Sequence, residues 1–281
     1  MSVNKALDWL EAAELPTGGI ACWQDQNGHF LKAYPEVTGY LIPTMLDYDL
    51  FDLAVRCADW LASIQEPDGS YRGLDGVKRS FDTAAVIEGL GAIAFETGDD
   101  RYIVAHERAL GWLYDQQLFA GPLRITPDED VSHIYTMRAS WILKDLVAAE
   151  YWSPDAGWDP RWGAEQRPHY IAYGLDGLDR MLADKTGVIR VLETAQHQPL
   201  IHGLMPFWSY GWERGEGTCT TSTLQFAILN RRHGLEYGHL IDAAEQMQAP
   251  NGGFYHDHRD KRRISWALKF YLDARHDEQY I

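Results

Sequence analysis

Residues Trp60 to Gly91 read WLASIQEPDGSYRGLDGVKRSFDTAAVIEGLG. The start of this stretch closes an amphipathic helix: Phe51, Ala54, Val55, Ala58 and Leu61 recur at i, i+3, i+4 spacing, with Asp52, Arg56 and Asp59 between them. Gly69 marks a turn, because glycine reaches backbone angles closed to other residues. After a polar loop, DTAAVIEGLG begins a second helix, rich in small residues and poor in charge. A helix with few charges on any face belongs inside a fold.

The unit recurs. Trp9-Leu10 precedes Glu14 and Gly18, Trp60-Leu61 precedes Gln65 and Gly69, and Trp112-Leu113 precedes Gln117 and Gly121. Val191-Leu192 before Gln196 and Ala243-Ala244 before Gln248 and Gly252 continue the series. A period of about 50 residues, one helix pair each, is the signature of stacked hairpins that share a core with their neighbours. The longer gap between Trp112 and Val191 implies a compressed fourth unit.

Half-exposed first helices are predicted over 3–14, 50–65, 101–117, 187–197 and 236–248, and charge-poor second helices over 37–47, 82–96, 132–149, 168–184, 218–231 and 263–275. Six inner helices ringed by outer ones make an all-α protein, an α/α toroid of about six helical hairpins, with 1–281 as a single domain. The links from outer to inner helices (15–36, 66–81, 118–131, 198–217 and 249–262) are long and gather on one rim. Long loops of this kind commonly carry function. The inner helices turn their N-termini, with unpaired N–H groups, towards that rim, which favours an anionic group in a ligand.

The formal charge of −16 opposes nucleic-acid binding, which needs clustered Lys and Arg. The basic run Lys261-Arg262-Arg263 neighbours Asp257 and Asp260 and reads as a solvated loop. Three scattered cysteines (Cys22, Cys57, Cys219) suggest neither a disulfide framework nor a structural zinc. No run approaches the roughly 20 apolar residues of a membrane span. The acidic, amphipathic start lacks the apolar segment of a signal peptide, so a cytoplasmic location is expected.

The turns at Gln65 and Gln248 resemble the repeats of the squalene cyclase and protein prenyltransferase superfamily. A fuller resemblance, spanning nearly the whole chain, is to bacterial toroid proteins associated with surface-polysaccharide biosynthesis. It rests on six inner-helix starts in order: Tyr34-Pro-Glu36-Val-Thr-Gly-Tyr40, Phe81-Asp82-Thr83-Ala84, Thr136-Met-Arg138-Ala-Ser-Trp141, His169-Tyr-Ile-Ala-Tyr173, Cys219-Thr-Thr221-Ser-Thr-Leu-Gln225 and Ser265-Trp266-Ala-Leu-Lys269-Phe270. Ala84 stands where that family has Gly, and Thr136, Thr223 and Ser265 where it has Asn. The resemblance implies a toroid in a polysaccharide setting, with proteins of polysaccharide synthesis as possible partners.

Glu36, Asp82 and His169 open inner helices at the rim and are the first candidates for acid–base work. A carboxylate in a first turn accepts helix N–H groups, which lowers its pKa, although Asp82 also reads as a plain N-cap. His169 could shuttle a proton near neutral pH. Tyr40 and Tyr173 could donate protons or stack on sugars, or simply pack. Arg138 and Lys269 lie in apolar helices and must either pair with the carboxylates or hold an anionic substrate. Trp208, Tyr210 and Trp212 suggest a sugar-stacking rim, or alternatively a hydrophobic plug, and Gln225 and Trp266 complete the candidate binding set.

Asp128-Glu-Asp130 partly resembles the acid motif of class II terpene cyclases, with Val131 in place of the final Asp. Asp130 and His133 lack a D-x-C companion, and His256-Asp-His258 reads as an exposed loop, so no metal and no cofactor are expected. These residues point to a carbohydrate-active protein, with lyase, epimerase and hydrolase chemistry on an acidic saccharide all open. A non-catalytic glycan-binding subunit and a terpenoid cyclase are the alternatives.

Overall fold

The computed structural model describes residues 2–116, 152–153, 157–158, 165–210 and 212–276. Ten helices are seen among them: α1 (Val3–Ala12), α2 (Pro35–Asp47), α3 (Phe51–Ile64), α4 (Ser80–Thr97), α5 (Asp100–Asp115), α6 (Pro168–Met181), α7 (Thr186–Ala195), α8 (Thr220–Arg232), α9 (Gly238–Glu245) and α10 (Ser265–His276). The odd-numbered helices are the outer ring and the even-numbered ones the inner. The expected inner helix over 132–149, with Arg138, lies outside the described residues, as do Gln117, Gly121 and the Asp128–His133 segment.

Burial follows the composition. Every residue of α8 from Thr220 to Asn230 is buried, and so is α4 from Ser80 to Ile87, whereas α3 buries only Leu53, Ala54, Cys57, Ala58 and Leu61. Small residues let inner helices meet backbone to backbone. A Cβ added to Gly39 of α2 would lie 2.6 Å from the Ala85 carbonyl oxygen of α4. The α10 helix packs on both α8 and α2, so the inner ring joins its end to its beginning.

The repeated turn shows how each unit is fastened to the next. Gly18, Gly69 and Gly252 have φ of 99°, 94° and 97°, a region that L-residues avoid. A side chain on Gly69 would also overlap the Arg108 carbonyl of the next outer helix. Gln65 Nε2 donates to the Gly69 carbonyl at 3.2 Å and to the Ala105 carbonyl of α5 at 2.7 Å. Gln196 Nε2 reaches the Glu236 carbonyl at 3.2 Å. At Gln248 the same amide closes the ring: Nε2 donates to the Ser2 carbonyl and Oε1 accepts from the Ser2 N–H, both at 3.1 Å. Glu14, in the equivalent place, instead grips Arg56 through two bonds of 2.7 and 2.9 Å.

Two residues beyond Gly18, Gly69 and Gly203 (φ 80°), the backbone N–H is taken by an inner-helix threonine. Ile20 donates to Thr38 Oγ1 at 3.0 Å, Tyr71 to Thr83 Oγ1 at 3.2 Å and Met205 to Thr223 Oγ1 at 2.9 Å. The threonines of these helix-start motifs therefore tie the rim loops to the inner ring.

The rim loops are not wholly irregular. β1 (Ala21–Gln24) pairs with β2 (Phe30–Ala33) and, across the ring closure, with the last strand, β8 (Arg263–Ile264). β3 (Trp152–Ser153) pairs with β4 (Gly157–Trp158), while β5 (Glu165–Gln166), β6 (Trp208–Tyr210) and β7 (Arg214–Glu216) form an antiparallel sheet. These short ladders hold the rim without changing the all-α class. No helix among the described residues is long and apolar enough to cross a membrane.

Candidate functional site

The helix starts deliver two connected groups of side chains. The first is a carboxyl pair. Tyr34 is the N-cap residue of α2 but makes no side-chain cap bond. Its hydroxyl instead donates to Asp82 Oδ1 at 3.2 Å. Burial raises the Tyr34 pKa, and the charges of Glu36 and Asp82 raise it further. Glu36 Oε1 accepts from Trp266 Nε1 at 3.0 Å, and the Trp266 ring meets Tyr34 edge-on at 5.9 Å.

Asp82 is not the N-cap of α4. Arg79 occupies that place, and Asp82 lies inside the first turn, completely buried. Its carboxyl is pushed well above the usual range, first by burial and then by Glu36, against the partial relief of the Arg79 charge. The expectation of a lowered pKa fails here because desolvation outweighs the helix terminus. Asp82 Oδ2 has no hydrogen-bond partner among the described residues. Arg79 itself is held by Asp75, with Nη1 to Oδ1 at 2.8 Å.

The second group lines a cavity of about 240 Å³ at the rim: Trp23, His169, Phe207, Cys219, Thr221, His256, Arg262, Ile264 and Trp266. His169, in the first turn of α6, has Nδ1 2.8 Å from Gln225 Oε1. With the amide in this orientation its oxygen can only accept, so Nδ1 carries the hydrogen and Nε2 keeps the lone pair. Burial lowers the His169 pKa to about 4, with Gln225 opposing that shift. His256 is also lowered by burial, and its Nδ1 has no hydrogen-bond partner among the described residues. Trp266 joins the two groups, since it lines the cavity and binds Glu36.

Several expected residues lie elsewhere. Tyr40 and Tyr173 are buried in an aromatic layer across the lumen: Tyr173 meets His169 at 4.8 Å, Phe81 at 4.8 Å and Phe270 at 5.8 Å, and Tyr40 meets Phe270 at 6.3 Å. Lys269 pairs with Asp273, one turn along the same helix, rather than with Glu36 or Asp82. Gln225 holds His169. Trp208 stacks against Arg167, whose guanidinium carbon is 4.2 Å from the ring centroid, and Trp212 packs on Phe226 at 5.9 Å. Tyr210 ends β6, and Arg138 lies outside the described residues.

Three participants are not marked by the sequence pattern. Tyr34 sits before the helix rather than on it. Arg262 belongs to a basic run that looks solvated, yet it lines the cavity while paired with Asp260. Its neighbour Arg263 lies on β8 and donates to the Asp25 carbonyl at 2.6 Å. His256 belongs to a loop expected to be exposed, but it is half-buried and stands 6.0 Å from the Phe207 ring. His258 is occupied by Thr218 Oγ1 at 2.8 Å. No group of three or more His, Cys, Asp or Glu side chains among the described residues is arranged to hold a metal ion.

The fold is an α/α toroid, a class whose solved members include enzymes of quite different chemistry. No protein-family model matches the chain, and no curated protein does. Among solved structures it is similar to an α-amylase from Clostridium perfringens, with TM-score 0.73, 12% identity and coverage of 98% of this chain and 97% of that one. It is also similar to an unsaturated glucuronyl hydrolase specific for heparin (TM-score 0.67, 15% identity, 99% and 97% coverage). A type II terpene cyclase variant from Scytonema superposes as well (TM-score 0.64, 13% identity, 97% and 94% coverage). At such identities the likeness concerns the fold.

Proposed function

We propose that this protein is a carbohydrate-active enzyme of polysaccharide metabolism, performing acid–base chemistry on an acidic saccharide bound in the rim cavity. The observation that carries this reading is His169. It lines the cavity with its neutral form favoured by burial, and Gln225 orients the ring so that, with Nδ1 donating to the amide oxygen, Nε2 is a proton acceptor. Trp23, Phe207 and Trp266 offer aromatic surfaces to a sugar ring. The inner-helix N-termini suit a uronate carboxylate, beside an Arg262 that Asp260 already holds. Such an anion would also raise the pKa of His169 towards neutrality, strengthening the base when substrate is present.

In this scheme Nε2 of His169 takes the proton from the carbon next to the sugar carboxylate, as a lyase or epimerase requires. Glu36 and Asp82 are buried, so they act on the cavity through Trp266. The glucuronyl hydrolase and amylase likenesses support a saccharide substrate over a terpenoid. So do the two imidazoles and the guanidinium that line the cavity.

Mass analysis of uronic-acid-containing oligosaccharides incubated with the protein distinguishes the reactions. Elimination yields fragments whose masses sum to that of the substrate, hydrolysis adds one water, and epimerisation run in D2O leaves the chain length unchanged while adding one non-exchangeable deuterium at the inverted carbon. Tight binding with no product from any acidic oligosaccharide would replace the enzyme with a glycan-binding subunit.

A further inference from the structure

Beyond the aromatic layer the lumen opens again. A second cavity, of about 260 Å³, lies at the opposite mouth, by the C-terminal ends of α2, α6, α8 and α10. Its floor is Tyr40, Tyr173 and Phe270. Its walls bring together Asp47 of α2, Glu88 of α4, Asp176 of α6 and Asp273 of α10.

We propose that this cavity binds a single neutral sugar ring. Carboxylates make strong charge-assisted bonds to hydroxyl groups, and the buried rings close the floor beneath them. The volume falls just short of the roughly 300–1,000 Å³ typical of drug-sized ligands, which suits one ring better than a chain.

The charge pattern argues against other ligand classes. An anionic ligand would face four carboxylates and the negative C-terminal ends of α2, α6, α8 and α10. The lining cations already face carboxylates: Arg232 Nη1 is 2.6 Å from Asp176 Oδ1, Arg180 Nε is 3.2 Å from Asp176 Oδ2, and Lys269 is bonded to Asp273. A cationic ligand would seek the aromatic floor, but Lys269 Nζ already lies 4.6 Å from the Phe270 ring centroid and 5.6 Å from that of Tyr40. Hydroxyl groups, which both donate and accept, fit a wall of mixed sign.

The test is calorimetric titration with methyl glucoside, methyl galactoside, methyl mannoside and free glucuronate. At least one neutral glycoside should bind, and Glu88→Gln should weaken it about tenfold while Trp266→Ala, in the rim cavity, leaves it unchanged. Asp47→Asn, at the exposed edge, should weaken it less and serves as the second variant if Glu88→Gln does not fold. Glucuronate should be insensitive to both acidic substitutions. Failure of all three glycosides to bind would overturn the proposal. So would loss of neutral-sugar binding in Trp266→Ala alone, or glucuronate binding that depends on Glu88. Glu88 and Asp47 lie outside the rim cavity, and although Gln225 and Tyr173 line this cavity and touch His169, the two acidic substitutions test this site alone.

Discussion

His169 Nδ1 lies 2.8 Å from Gln225 Oε1, so a neutral amide on α8 orients the imidazole of a histidine on α6. An uncharged partner orients the ring and offsets only part of the cost of protonating it in a buried place. The imidazole should titrate near pH 4 in the free protein, measured by NMR of the ring protons. Gln225→Glu, which supplies a negative charge, should raise that midpoint by about 1–3 pH units. A midpoint near 6.5 in the unaltered protein would contradict the assignment.

The same shift predicts a division between kinetic parameters. The acid limb of kcat/KM reports the free enzyme and should fall near pH 4. The acid limb of kcat reports the complex, where the substrate carboxylate favours the imidazolium, and should lie at higher pH. Pre-steady-state and steady-state pH profiles on one acidic oligosaccharide would check this. A kcat limb at or below that of kcat/KM would count against an anionic substrate beside His169.

Asp82 makes a separate prediction through linkage. Its folded pKa is raised, so the native state holds a proton that the unfolded chain has released once pH exceeds about 4. That contribution to stability is complete below the unfolded pKa and is lost as pH rises towards the folded one. Urea unfolding of the unaltered protein, compared with Asp82→Asn, should show a relative loss of up to about 1.4 kcal/mol per pH unit across that window. Parallel curves for the two proteins would show that Asp82 is ionised in the fold.

Much of the architecture was legible because it repeats. A turn glycine, a glutamine four residues before it and a charge-poor helix after it recur with one period, and each does the same job in every described unit where it stands. The site was less legible. Glu36 and Asp82 stood out by position, but the sign of the Asp82 shift depended on how deeply α4 is buried, which no local pattern reports. Tyr34, His256 and Arg262 reach the site through loop paths set by β1, β8 and the ring closure. Lys269 looked like a partner for distant carboxylates, yet Asp273 was already one helical turn away.

The ring closure can be tested by itself. Gln248→Ala removes both bonds to Ser2 and should cost about 1–3 kcal/mol in chemical denaturation, with Gln65→Ala similar. Gly252→Ala should cost more, because its φ is 97° and the added methyl would overlap the Lys5 carbonyl. If Gln248→Ala unfolds with the same midpoint as the unaltered protein, the ring is closed by the β1–β8 ladder and by packing rather than by this amide.

The most direct measurement compares turnover and binding of acidic oligosaccharides by the unaltered protein and His169→Asn. If Nε2 of His169 moves the proton, kcat should fall by about 10²–10⁴-fold while the dissociation constant changes little. Unchanged turnover in His169→Asn would contradict that role, and binding without turnover in the unaltered protein would contradict catalysis itself.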